Sequence, residues 1–453
     1  GRSHSMTLGK KVRHLFDFKK VGRALGSVML MVGLTWGTVA HAEEPVEIHG
    51  FISQGWLKST GNNFLGATSE PFGEFEFFEM GINFATSVTD DLRIGAQFFT
   101  RDLGPVGNNE ISLDWAFADY SITDEFNIRA GRMKQAYGLY GEYWDLDLVR
   151  PTVVLPNSVY LMSLRDLLIN FNGLQFYGNI DLWDYNLGSI DYKVGAGALL
   201  IQDAEANSVA YFFNNRAYDD TTGKFAFQVS NLKENFIANM SLQWNTPLDG
   251  LLLKYTGTWY DGLATVRIED ELFDAFKTIG LADNRTNQFV QLALKDTFFW
   301  VASFEYTLDS AMIVGEYCRY WGMFASNNPG LIPHTTLSQE RFYLQASYRF
   351  SDLFEAATYY SVQYDPENRN SRGFVNGSQS EYRPYGDVGF NSYSGWTKDL
   401  AVSIRFDINY NWLVKLEGHV VDGTAVLYRI DNKDKEELER FWTFFGIKTT
   451  LTF

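Results

Sequence analysis

Period two dominates the hydrophobic pattern of this chain. Phe236, Ala238, Met240, Leu242 and Trp244 are apolar, while the residues between them (Ile237, Asn239, Ser241, Gln243) are mostly polar. Phe298, Trp300, Ala302, Phe304 and Tyr306 interleave with Ser303, Glu305 and Thr307, and Leu400, Val402, Ile404 and Phe406 with Ser403, Arg405 and Asp407. Side chains of a strand alternate between its faces, so each run predicts a strand with one apolar and one wet face. Sixteen such segments are predicted, near 46–57, 75–88, 92–101, 110–122, 126–134, 172–180, 185–201, 235–246, 251–265, 297–307, 311–322, 339–350, 353–364, 396–408, 412–422 and 436–453. Their connections alternate in length. Tight turns such as Thr89-Asp90-Asp91, Leu308-Asp309-Ser310 and Asn409-Tyr410-Asn411 are rich in Asp and Asn, which suit sharp reversals. Between them lie long polar stretches at 58–74, 102–109, 135–171, 202–234, 266–296, 323–338, 365–395 and 423–435.

An even number of antiparallel strands with short turns at one end and long loops at the other is the layout of an outer-membrane barrel. In lipid every backbone group must be paired within the protein, so a sheet can span only if it closes on itself. Its apolar face then looks outward and its polar face inward. That explains a mean hydropathy of only -0.19 in a chain that is 16% aromatic. The expected fold is therefore all-β: a transmembrane antiparallel barrel of sixteen strands, short periplasmic turns and long external loops. Trp56, Tyr120, Trp259, Tyr260, Trp321, Trp396, Trp412 and Trp442 are candidates for its interfacial aromatic girdles.

The first residues read as an address. Residues 1–5 (GRSHS) resemble a cloning scar ahead of Met6. Lys10 to Arg23 form a basic region, Ala24 to Val39 an apolar one, and Ala40-His41-Ala42 fits a small-x-small cleavage site. Residues 6–42 are expected to be a signal peptide and 43–453 a single barrel domain. The first 42 residues hold seven of the 38 basic residues and one of the 55 acidic ones. The remaining 31 basic and 54 acidic residues bring the net charge from -17 to -23. Such acidity speaks against a nucleic-acid partner. One cysteine, Cys318, excludes an internal disulfide framework. With the first strand starting at Val46, no plug domain is expected ahead of it.

The chain ends on Phe453, after a strand with alternating apolar residues, and so resembles Gram-negative outer-membrane barrels. The stretch at 126–165 narrows the resemblance. Gly131-Arg132-Met133-Lys134 closes the fifth strand, and a long, partly apolar connection follows. This is similar to the sixteen-stranded general porins and their proteobacterial relatives, in which a strand ending in Gly-Arg-x-Lys leads into a loop that folds into the lumen. The resemblance implies passive diffusion of small hydrophilic solutes, a homotrimer, and contact with outer-membrane lipid and lipopolysaccharide. The residues agree with an inserted loop: Leu139, Leu146, Val153, Val154, Leu155 and Leu161 need a wall to pack on.

Candidate site residues follow from charge and alternation. Glu142, Asp145, Asp147 and Arg150 on the loop are expected at a constriction. The expected wall partners are Arg93, Arg101, Arg129, Arg132, Lys134, Arg341 and Arg405; Lys415 and Lys448 also take polar-face positions. Crossed charges at a narrow passage would orient dipolar solutes and exclude apolar ones. Tyr137, Tyr140, Tyr143 and Trp144 could form a track for sugar rings or serve as packing. The acidic balance predicts weak cation preference. No cofactor is expected, and no His/Cys spacing suggests a metal. Alternative readings are a substrate-specific channel for sugars, organic acids or short oligomers, and an outer-membrane enzyme, for which no nucleophile constellation stands out.

Overall fold

The computed structural model describes residues 45–199, 218–219, 224–225, 227–331, 335–364, 392–428, 430–432 and 438–453. The expected signal peptide, His334 and most of the 202–234 and 365–395 loops lie outside them. All sixteen predicted strands are present: β1 (Glu47–Thr60), β2 (Phe77–Ser87), β3 (Leu92–Leu103), β4 (Ile111–Thr123), β5 (Phe126–Lys134), β6 (Asn170–Asp181), β7 (Ser189–Ala198), β8 (Phe227–Asn245), β9 (Leu251–Ile268), β10 (Phe289–Leu308), β11 (Ala311–Ser326), β12 (Thr335–Arg349), β13 (Phe354–Tyr364), β14 (Trp396–Asn409), β15 (Trp412–Gly423) and β16 (Phe441–Thr452). Each pairs antiparallel with its neighbour, and β1 pairs with β16, so the sheet closes into a barrel. Closure removes every edge, as lipid requires.

Burial is inverted relative to a soluble protein. On β14, Leu400 and Val402 are 49% and 55% exposed, while Asp399 and Ser403 are 9% and 1% exposed. On β15, Leu416 and Val420 face out and Lys415, Glu417 and His419 are buried inside. The apolar face is the lipid face, and no helix is long and apolar enough to cross a membrane. Trp259, Trp321, Trp412 and Tyr120 are exposed, as a girdle requires. Tyr260 and Trp442 are corrections, because both are buried: Trp442 packs on Phe64 inside the loop region, its ring centroid 5.7 Å away.

Strands β8 to β11 extend beyond their predicted bounds at the long-loop end. Val266, Ile268, Val290, Leu292 and Leu294 there form a core with Phe273 and Phe276 of a helix, Asp270–Thr278. Charged residues such as Lys295 and Asp296 had disguised this extension as loop. β4 carries a bulge opposite Gln97/Phe98, which bears on the site.

Candidate functional site: the loop across the lumen

The connection from β5 to β6 covers residues 135–169, close to the expected 135–171, and it lies inside the barrel. Gly138 makes the entry turn at φ +56°, where a side chain would collide with the Tyr160 hydroxyl. At one end the loop packs Tyr137, Tyr140, Trp144 and Tyr160 on Phe299, Val301, Val314, Cys318, Tyr320 and Tyr343 of β10, β11 and β12. At the other, Val153 and Val154 sit on Leu57, Phe77, Val421 and Phe444 of β1, β2, β15 and β16. Three of the four aromatics of the proposed track, Tyr137, Tyr140 and Trp144, are thus packing residues with no free ring face. Tyr143 alone of the four is exposed.

Two wall carboxylates hold the loop backbone. Glu316 on β11 accepts the Leu139 amide at 2.8 Å and the Tyr160 and Tyr343 hydroxyls at 2.5 and 2.7 Å. Glu417 on β15 accepts the amides of Val153 and Val154 at 2.8 and 3.0 Å. His419 bridges Glu417 and Asp399, each nitrogen about 3.0 Å from a carboxylate oxygen, so neither nitrogen is free to act as a base.

Ion pairs fix the loop in two clusters. In the first, Asp147 meets Lys415 at 3.2 Å, Lys448 at 2.7 Å and Arg150 at 3.0 Å, and it accepts from Thr450 on β16 and Ser53 on β1. Lys448 also reaches Glu79. In the second, Arg165 and Lys134 share Asp145 and Asp114: Lys134 is 2.9 Å from Asp145 and 3.0 Å from Asp114, and Arg165 is 2.8 Å from Asp114. Asp166 joins Arg165 at 3.0 Å to Arg101 at 2.7 Å. The Arg165 guanidinium lies over the Phe99 ring at 4.0 Å.

The expected crossed-charge arrangement is therefore realised differently. Asp145 does face Lys134, but in direct contact and buried. Asp147 pairs with Arg150 and with Lys415 and Lys448, the two lysines lying outside the expected partner set. Glu142 pairs with Lys193 on β7, 2.7 Å from both oxygens. Arg101 joins the loop through Asp166 and the Met162 carbonyl. Arg341 and Arg405 donate to loop carbonyls, at Ser158 and Leu148. Arg132 donates to the Asp114 carbonyl at 3.3 Å. Arg129 pairs with Asp119 at 2.7 Å and lies over the rings of Phe117 and Tyr177. Arg93 is a correction: it shares the inward face of β3 but lies at the start of that strand, exposed and paired with Glu47, away from the loop.

The loop acids are tuned by these partners. Burial alone would raise the pKa of each. For Asp145, Arg165 and Lys134 outweigh it; for Asp147, Lys415 and Lys448 do; for Glu142, Lys193 and Lys254 do. All three are held below the usual carboxylate range. A depressed carboxyl contributes stability that is complete above its unfolded pKa of about 4 and is lost only as pH falls through the lower folded value. Titration of these acids should thus leave the loop attached from neutral pH down to about pH 4. Single-channel conductance across that range checks this, and a loop-opening step near pH 5 or 6 that persists in His419→Gln would contradict it.

Beside Glu142 the lumen widens into a cavity of about 390 Å³, bounded by Tyr143 of the loop and by Tyr177, Lys193, Gln243 and Lys254 of β6 to β9. Sequence reasoning did not single out Lys193, Lys254, Glu316, Glu417 or Asp114. The last is hidden from strict alternation. Asp114 and Asp119 differ by an odd number of positions, yet both hold inward cations, which the bulge in β4 allows.

No family model matches the chain, and no curated protein sequence is similar to it. Solved structures are similar in fold. The outer-membrane protein OmpT of Vibrio cholerae shares 11% identity at a TM-score of 0.51, covering 92% of this chain and 99% of that one. An anion-selective porin from Comamonas acidovorans shares 10% at 0.50, covering 91% and 100%. Salmonella typhi OmpF, in complex with daunomycin, shares 11% at 0.50, covering 90% and 98%. The chain has the fold of the outer-membrane porins, a barrel of the kind that Gram-negative outer membranes hold.

Proposed function

We propose that this protein is an outer-membrane porin, a water-filled channel for passive diffusion of small hydrophilic solutes and ions, narrowed by the 135–169 loop. The observation that carries the reading is the loop itself. A sixteen-stranded barrel with a polar interior holds a segment pinned to separate stretches of its wall through Glu316, Glu417 and Asp147. Such a segment sets the passage rather than swinging freely within it. Glu142, Tyr143, Lys193 and Lys254, lining the cavity beside the loop, are the residues the reading assigns to that passage. The other expected constriction charges act as its fixings. The signal peptide, the homotrimer and contact with lipopolysaccharide belong to the proposal as what the porin resemblance implies.

Planar-bilayer recording tests it. Steady, ohmic single-channel steps are expected, and the absence of any conductance would remove the channel reading. Under a salt gradient the reversal potential should show weak cation preference, because the inward cations are mostly spent on the loop while the chain from 43 onward carries net -23. A clear anion preference would overturn that part.

A further inference from the structure

The cavity beside Glu142 is lined by a lysine that touches no carboxylate directly. Lys193 is spent on Glu142, contacting both oxygens at 2.7 Å. Asp191 is spent on amides, accepting from Asn179 at 2.6 Å, Gln243 at 3.2 Å and Asn245 at 2.8 Å. Glu316 accepts from the loop, from Tyr343 on β12 and from Ser303. Lys254 on β9 lines the same cavity, and among the described residues its ammonium has neither a hydrogen bond nor an ion-pair partner. Glu305 on the neighbouring strand, diagonal to it in register, makes no ion pair with it. An ammonium in a partly dehydrated recess whose donors touch no carboxylate gains a charge-assisted hydrogen bond from a carboxylate that enters. Tyr143 presents a half-exposed ring at the edge of that recess, and a volume of about 390 Å³ suits a small molecule.

We propose that this recess is a binding station for small solutes bearing a carboxylate, with the carboxylate on the Lys254 ammonium and an apolar or ring-shaped body against Tyr143. The inference deepens the channel reading and rests on it for its physiological sense. The station is local and saturable, distinct from the weak cation preference of the passage as a whole. Its binding is weak enough to let the solute leave, as a conducting pathway demands.

Calorimetric titration of the full chain in detergent, with sodium benzoate and its neutral twin benzamide, tests the station without requiring conduction. Saturable benzoate binding is expected, with benzamide at least about tenfold weaker. Lys254→Gln should bring benzoate down to the benzamide level, and Lys254→Arg should retain it. The wild-type comparison of the two probes needs no variant to fold. Equal binding of the two, no benzoate binding at all, or a folded Lys254→Gln variant that binds benzoate as wild type does would overturn the proposal. Benzoate binding by a protein that shows no conductance would keep the station and remove the channel, whereas conductance without benzoate binding would do the reverse.

Discussion

Asp147→Ala is expected to detach the distal half of the loop from the wall and raise the single-channel conductance. The reason is electrostatic. Lys415 and Lys448 are fully buried, and Asp147 is the carboxylate between them. Lys448 keeps Glu79 when Asp147 is lost, but Lys415 is left with the carbonyls of residue 147 and Thr152 and no counter-ion. Removing one partner from a buried ion pair costs about 3–5 kcal/mol. The loop should release before the barrel does, because the barrel's ladder is complete without it. Asp147→Asn keeps acceptance from Ser53 and Thr450 and should give a smaller rise. Conductance together with protease sensitivity of the loop measures both, and an unchanged conductance in a variant that folds would show that the cluster does not hold the passage narrow.

Arg165→Met should destabilise the protein by a similar ~3–5 kcal/mol, through the opposite imbalance. It removes the cation that contacts Asp114, Asp145 and Asp166 together. Arg165→Lys restores the charge but not the geometry. A single ammonium cannot reach Asp145, Asp114 and Asp166 from the positions of Nε, Nη1 and Nη2. Pairing Arg165→Met with Asp145→Asn rebalances the cluster and should recover more than half of the loss. Urea unfolding in detergent, followed by tryptophan fluorescence, gives the order: wild type, lysine variant, double variant, methionine variant. A lysine variant as stable as wild type would show that charge alone matters here.

The fold was largely legible because a lipid-facing sheet writes its period into the chain. Leu400, Val402 and Ile404 could be assigned to one face without knowing any neighbour. The site was legible only in kind. That the loop enters the lumen followed from Val153, Val154 and Leu155, which have no business in water, yet which wall they meet is a question of register around a closed barrel. Glu316 and Glu417 looked like ordinary inward charges for that reason. Parity alone could not find Asp114, because a bulge resets it. Nor could it separate Tyr143 from Tyr140: both are loop aromatics, and only the turn through Gly141 sends one into the packed cluster and leaves the other open.

The place of Asp147 also has a meaning for assembly. Its carboxylate touches Ser53 of the first strand and Thr450 and Lys448 of the last. Those two strands are hundreds of residues apart and meet only when the sheet is complete. The anchoring of the loop there is consequently a late event, available only to a chain whose ends have found each other. Before that moment Lys448 lacks Glu79, and Asp147 lacks Ser53 beside Thr450. The seam and the internal loop thus lock together, and a barrel that closes out of register forfeits the narrowing of its own passage.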